Sequence, residues 1–381
     1  MSYASGRTFN DADSHLMEFG DWLAPYADPD IREKLRPLYL GAAGRLADDA
    51  VAAAAARQGD AEAAKQLEAN LMSAKGWSAL GAFDRDERSR ALDLLGFSSQ
   101  LVFSTFAPTQ FRGNDPELTY GGARTHNRAM ADFCSKDSRL LGVAIVPWGD
   151  PRRTAAEATE AIRLGCRAIL VDSAPTGELS PTHPDYHPFW ATLESANVPF
   201  MLHIGGGGRT LRRQFHANGR KVTDWLGGGE NIRSKDFMTV HTAPETFLSC
   251  MVLDGMFETF PRLRGGCIEQ GALWVPAWLR RLDIAQQTFQ KTEPALRRPR
   301  RASEYVHGHL WFTPFPTEPV GWILEHAGDD LLLFSSDYPH PEGGRDPLKR
   351  FAESLACAPA AALDRFYSGN FSAMMGRSTP A

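Results

Sequence analysis

Short apolar runs rich in β-branched residues recur along the chain, each followed by a longer stretch with helical spacing. Eight are predicted as strands: Thr8–His15, Ser99–Ser104, Leu140–Pro147, Ala168–Asp172, Pro199–Ile204, Leu263–Glu269, His309–Thr313 and Leu331–Asp337. Several are almost continuously apolar, the pattern of parallel strands covered on both faces. The helical stretches carry matching breaks: Arg152–Leu164 stops at Gly165, and His187–Ala196 stops before Pro199. Eight strand–helix units in a chain of this length predict an α/β protein of the (β/α)8 TIM-barrel class. A doubly wound sheet is the alternative, but no GxGxxG follows the first strand, so the dinucleotide-binding form lacks its main support.

The reading is of a single domain over residues 1–381 with a helical insertion after strand 1, at about residues 45–80. Its alanine-rich part, Ala50–Lys75, favours a helical hairpin that could cap the barrel mouth. Gly205–Asp236, with glycine runs at both ends, is expected to be a mobile loop. The basic stretch Ala285–Tyr305 is expected to be a solvated helix with a turn.

In such barrels functional groups sit at the C-terminal ends of strands. Strand 1 ends in Asp11-Ala-Asp13-Ser-His15, where alternation places Asp11, Asp13 and His15 on one face, with Glu18 a turn beyond. Strand 5 ends in His203, strand 6 in Glu269, and strand 8 in Asp337, followed by His340. A lone strand-end aspartate caps a helix as readily as it binds a metal, and a lone histidine is more often packed than ligating. Matching residues at four strand ends change that balance. Imidazole and carboxylate donors without a nearby cysteine suit a divalent ion such as Zn²⁺, Mn²⁺ or Fe²⁺. Such an ion would polarise a substrate oxygen or activate a bound water. His241, beside a predicted helix start, is a candidate to face the same pocket. Arg209, Arg212 and Arg213 could hold a substrate carboxylate, and Phe106, Trp148 and Trp274 could line an aromatic substrate, although all six have ordinary surface or core readings.

Composition narrows the partners. Hydrophobic residues make up 43% and charged ones 23%, enough for a large core. A net charge of −5 with no long basic block argues against nucleic acid. No run approaches the roughly 18 apolar residues of a membrane span, and Met1–Asn10 has no signal-peptide core, so a cytoplasmic protein with a small-molecule substrate is expected. Five dispersed cysteines without a CxxC pair predict free thiols.

Strand 1, the Leu202-His203 strand end, Gly255-Met-Phe-Glu-Thr-Phe-Pro261 and Phe334-Ser-Ser-Asp337-Tyr-Pro-His340 together resemble the amidohydrolase-related family. Its relatives include aminocarboxymuconate semialdehyde decarboxylase and benzoate-type decarboxylases. Asn127-Arg128 and Asp185-Tyr-His-Pro-Phe-Trp190 extend the resemblance over nearly the whole chain. It implies Asp13, His15, His203 and Asp337 as metal ligands, with Asp337, Glu269 and His241 as catalytic candidates. Asp11, Glu18, His241, Glu269 and His340 remain as further ligands or holders of a second ion. Where many relatives carry a strand-six histidine, this chain has Glu269, which could act as acid or base or bind metal. The resemblance implies a metal-dependent enzyme acting on a small carboxylated cyclic or aromatic compound, with decarboxylation favoured over hydrolysis because of the acid-x-His start. The alternatives are a dinuclear iron or manganese–iron oxygenase, or a catalytically silent subunit of a hetero-oligomer. A homo-oligomer is otherwise expected.

Overall fold

In the computed structural model, seven parallel strands follow one another around a curled sheet in chain order. They are β1 (Asn10–Leu16), β2 (Ser99–Ser104), β3 (Leu140–Ile145), β4 (Ala168–Leu170), β5 (Phe200–His203), β6 (Gly265–Ile268) and β7 (Leu310–Phe312). The structure describes residues 2–40, 43–57, 60–205, 211–220 and 233–376.

Residues 331–338 close the seam between β7 and β1. Phe312 donates its amide to the Leu331 carbonyl and Leu333 returns one to Phe312, both at 2.9 Å. On the other edge Ala12 donates to Phe334 at 3.0 Å, Asp337 to Asp13 at 2.9 Å and His15 to Tyr338 at 2.7 Å. The expected eighth strand is therefore an extended closing segment and not a regular ladder. Two of its amides are diverted: Phe334 donates to the Phe366 carbonyl at 3.0 Å and Ser336 to the Asp11 carboxylate at 2.7 Å. The ring is an α/β barrel of the TIM type with one irregular stave.

Alternation sorts the strand side chains. Leu101, Phe103, Leu141, Val143, Ala168, Leu170, Met201 and Trp311 fill the barrel, while Val102, Ala144, Ile169, Phe200, Leu202, Cys267 and Phe312 meet the helices. Both sets are apolar, which is why these strands read as continuous hydrophobic runs. At Gly265 a Cβ would collide with the Phe200 ring, so the close approach of β6 to β5 needs glycine there.

The outer helices begin and end on local signals. Asp84, Asp115 and Asp150 each accept two first-turn amides, opening Arg85–Leu95, Pro116–Cys134 and Pro151–Leu164. Gly96 and Gly165 end two of them in the left-handed conformation. The insertion contains helices Gly44–Arg57 and Ala61–Ala69, the second capped by Asp60. It then returns to the barrel mouth, where Gly76 donates to the Pro339 carbonyl at 2.9 Å.

The basic stretch corrects its expectation. Helix Val275–Phe289 covers only its beginning, and the remainder forms short 3-10 turns at Pro294–Leu296 and Ala302–Tyr305. Pro294 and Pro299 prevent a continuous helix, and buried Arg298 donates to the Val252 and Leu253 carbonyls instead of facing solvent. Most of the expected mobile loop, including Arg209, lies outside the described residues, as does the Arg213 side chain; Arg212 is exposed. All five cysteines are free.

Candidate metal centre and its mouth

β1 contains one residue more than its partner between the paired positions. Asp11 pairs with Gln100 and Ser14 with Val102, three steps against two. This bulge breaks the expected single face. Ala12 packs inside the barrel, and Asp13 and His15 turn to the mouth, where they meet His203 and Glu269. Asp11 is left on the helix side. It accepts from the Ser336 amide at 2.7 Å, the Ser336 hydroxyl at 2.6 Å and the Gln100 amide group at 2.7 Å. Burial pushes its carboxyl up to about 7 against those hydrogen bonds. Arg88, fully buried, extends this network to the Gln100 oxygen at 3.2 Å, the Ser14 hydroxyl at 2.8 Å and the His15 carbonyl at 3.1 Å. Asp11, expected among the additional ligands, is thus a tie between β1 and the closing segment.

Asp13, His15, His203 and Glu269 bring one donor atom each within 4.8 Å of one another, and His15, Asp337 and His340 form a second group sharing His15. Asp13 Oδ1 lies 3.2 Å from His15 Nε2 and 3.4 Å from His203 Nε2. Glu269 Oε2 is 3.5 Å from His203 Nε2, and Asp337 Oδ1 is 3.6 Å from His15 Nε2 and 3.2 Å from His340 Nδ1. The His15 ring stacks on His340 with centroids 3.9 Å apart.

Backbone strain accompanies this convergence. Glu269 and Asp337 are two of only three non-glycine residues with positive φ among the described residues, at 55° and 51°. Strict alternation after inward Ile268 would send Glu269 outward; the left-handed turn redirects it. Its amide donates to the Thr313 hydroxyl at 2.7 Å. Strain of this kind is held where the surrounding structure requires it.

Electrostatics matches the geometry. Burial alone would raise the Asp13 carboxyl, but His15 and His203 outweigh it and hold that carboxyl below the usual carboxylate range. Burial, reinforced by His340, pulls His15 down to about 4 despite Asp13, so its imidazole is neutral and able to ligate. His15 Nε2 and both Asp337 carboxylate oxygens are buried without a hydrogen-bond partner among the described residues. Donors bound at about 2.0–2.2 Å to one ion lie roughly 3–4 Å apart, so the spacing within the Asp13, His15, His203 and Glu269 group suits a divalent ion, and Asp337 adjoins that group through His15.

The remaining candidates have other surroundings. Glu18 accepts from the Ser104 hydroxyl, from the Thr105 amide at 3.2 Å and from the Phe106 amide at 2.8 Å, which pins the loop after β2. Burial raises its carboxyl. His241 is half-buried, 3.8 Å from Glu245 and stacked near Trp274, outside both groups. Trp148 packs in the core and donates to the Asp172 carbonyl at 2.8 Å. Phe106 stacks on Trp77.

A cavity of about 220 Å³ adjoins Asp13, Glu269 and Asp337, and Phe237, Phe315 and Arg350 are among its other walls. The two phenylalanine rings are 5.3 Å apart. Sequence reasoning missed both. Phe315 lies in Thr313-Pro-Phe-Pro316 just beyond β7, where the strand-end rule could have found it; Phe237 had no such signal.

The sequence profile of the amidohydrolase family matches residues 11–370. The chain belongs to this family. A γ-resorcylate decarboxylase from Rhodococcus jostii (strain RHA1) is 27% identical over 290 residues, covering 72% of this chain and 81% of that protein. In structure, an amidohydrolase from Mycobacterium avium subsp. paratuberculosis K-10 superimposes with a TM-score of 0.73 at 20% identity, over 98% of this chain and 100% of the other. A 5-carboxyvanillate decarboxylase from Novosphingobium aromaticivorans DSM 12444, complexed with manganese and 4-hydroxy-3-methoxy-5-nitrobenzoic acid, reaches 0.64 at 16% identity, over 98% and 99% of the two chains. The resemblance read from the strand ends thus holds along the chain. No helix among the described residues is long and apolar enough to cross a membrane.

Proposed function

We propose that this chain is a metal-dependent carboxy-lyase that removes carbon dioxide from a small aromatic acid. The observation that carries the reading is the match of 72% of the chain to a γ-resorcylate decarboxylase. It is supported by a donor set opening on a phenylalanine-walled cavity. Asp13, His15, His203 and Asp337 would hold a divalent ion, and manganese is proposed because the 5-carboxyvanillate decarboxylase structure contains it. When bound, the ion supplies Lewis-acid polarisation of the substrate's carboxylate and neighbouring oxygen.

The protein's own groups do the rest. Phe237 and Phe315 pack the ring and exclude water from one side of the cavity. Asp337, whose carboxylate oxygens lack hydrogen-bond partners among the described residues, delivers a proton to the ring carbon. The bond from that carbon to the carboxylate breaks, carbon dioxide leaves, and the carboxyl is reprotonated from solvent. Glu269, on the same cavity wall and held by Thr313, is the second proton carrier.

Manganese-loaded protein should release carbon dioxide from 2,6-dihydroxybenzoate or another hydroxybenzoate, lose that activity with a chelator, and regain it with added Mn²⁺. Hydrolysis of an amide or lactone panel with no carbon dioxide from any hydroxybenzoate would overturn the reading.

A further inference from the structure

One buried cation near the mouth makes no hydrogen bond among the described residues. Gly76 docks on the Pro339 carbonyl at 2.9 Å, which sets Lys75 against the segment bearing Asp337 and His340. Trp77, on the same turn, donates to the Glu18 carbonyl at 3.0 Å and stacks on Phe106, so this turn is held from two sides. The Lys75 ammonium is buried and has no hydrogen-bond partner among the described residues. Burial pulls this ammonium below its ordinary value, and the charges of Asp337 and Glu342, both on the cavity wall, oppose that pull. Yet no ion pair of 4.0 Å or less joins Lys75 to a carboxylate among the described residues.

A desolvated ammonium with unused donors is costly, and a neutral aliphatic side chain would stabilise the fold better. The mouth, however, has a use for the charge. Among the described residues, Asp13, Glu269, Asp337 and Glu342 line the cavity together with one guanidinium, that of Arg350, which is exposed and screened by solvent. The Lys75 ammonium adds a positive charge beside these carboxylates, where a second acidic group of a substrate can meet it.

We propose that Lys75 is a specificity residue that receives a second acidic oxygen of the substrate, on a ring carboxylate or a phenolic hydroxyl, beyond the carboxylate that is lost. The proposal rests on the decarboxylase reading of the site. It also gives the insertion a function: carrying the receptor for the far side of the ring.

The test is calorimetric binding of benzoate, isophthalate and 3-hydroxybenzoate to manganese-loaded protein, wild type against Lys75→Met and Lys75→Arg. Isophthalate, 3-hydroxybenzoate or both should bind the wild type at least about fivefold tighter than benzoate, the scale of one charge-assisted hydrogen bond. Lys75→Met should erase that advantage while benzoate binding changes by less than about twofold, and Lys75→Arg should keep it. Loss confined to isophthalate assigns a carboxylate; loss confined to 3-hydroxybenzoate assigns a phenolic oxygen. Metal content should be unchanged, and the Lys75→Met melting temperature should equal or exceed that of wild type, because a buried charge has been removed. A lower melting temperature, lost metal, or equal weakening of all three probes would make Lys75 structural and overturn the proposal. So would equal binding of all three by wild type. Because the readout is binding, absence of carbon dioxide release would count against the decarboxylase reading alone.

Discussion

β1 separates two buried polar clusters built from similar side chains. On its helix side, Arg88, Gln100, Asp11 and Ser336 bond to one another in a continuous network. On its mouth side, His15 Nε2 and the Asp337 oxygens are equally buried but have no hydrogen-bond partner among the described residues. The first cluster completes itself and holds staves together; the second is completed by something that binds. Burial of polar groups therefore does not distinguish scaffold from site here, whereas their satisfaction does.

The sharpest way to break this contrast is to substitute one member on each side. Asp337→Asn should lower carbon dioxide release by about 10³-fold, within the range for a lost proton-transfer group. Its metal-free melting temperature should not fall, because no hydrogen bond of the folded protein is lost. Undiminished turnover would move the proton transfer to Glu269. Arg88→Met should do the reverse on stability, lowering it by about 3 kcal/mol in denaturant unfolding because Asp11 is left as a buried charge. An unchanged midpoint would deny the helix-side cluster its structural role.

Metal removal sharpens the comparison further. With Mn²⁺ at a hundred times its dissociation constant, chelation should cost about 2.7 kcal/mol of stability, recovered on adding Mn²⁺ back. His203→Ala should abolish that difference, whereas His187→Ala, whose ring packs on Phe260 away from the donors, should retain it. Equal metal responses in both variants would remove His203 from the ligand set.

The smallest effect concerns His126, a buried imidazole outside both clusters, with Nδ1 3.0 Å from Asn127 Oδ1. Burial pulls it from 6.5 down to about 4. The unfolded chain takes up a proton in this interval while the folded chain does not. The contribution of His126 is therefore complete above 6.5 and is lost as pH falls towards 4. His126→Gln should flatten that limb of the stability curve by on the order of 1 kcal/mol per pH unit. An unchanged slope would assign the acid sensitivity to other groups.

The barrel was legible because its strands are apolar on both faces and its helices carry aspartate caps and glycine ends. His203 and Asp337 were legible as strand ends. Asp11 was misplaced because a one-residue bulge reverses every later side chain, and nothing in Asp-Ala-Asp-Ser-His announces it. Glu269 reaches the mouth through a left-handed φ that strand alternation does not foresee. His340, read as a further ligand or holder of a second ion, stacks on His15 and approaches Asp337. Lys75 lay in a stretch read only for helix propensity; that its buried ammonium has no hydrogen-bond partner among the described residues is a property of three dimensions.

The closing segment has a consequence for how the molecule comes into being. Ser336 and Asp11, joined by two hydrogen bonds, are 325 residues apart in the chain. The acidic end of β1 meets Gln100 89 residues later in synthesis and waits 325 residues for Ser336. Contacts of such sequence separation form late, after local helices and neighbouring strands have ordered. No N-terminal fragment, however well folded, contains half of the chemistry in weakened form. A circular permutant that links the segment after residue 338 to the segment before β1 and opens the ring elsewhere would bring the two sides of the seam together early in synthesis, so the order in which scaffold and site appear could be inverted without changing a single side chain in the mouth.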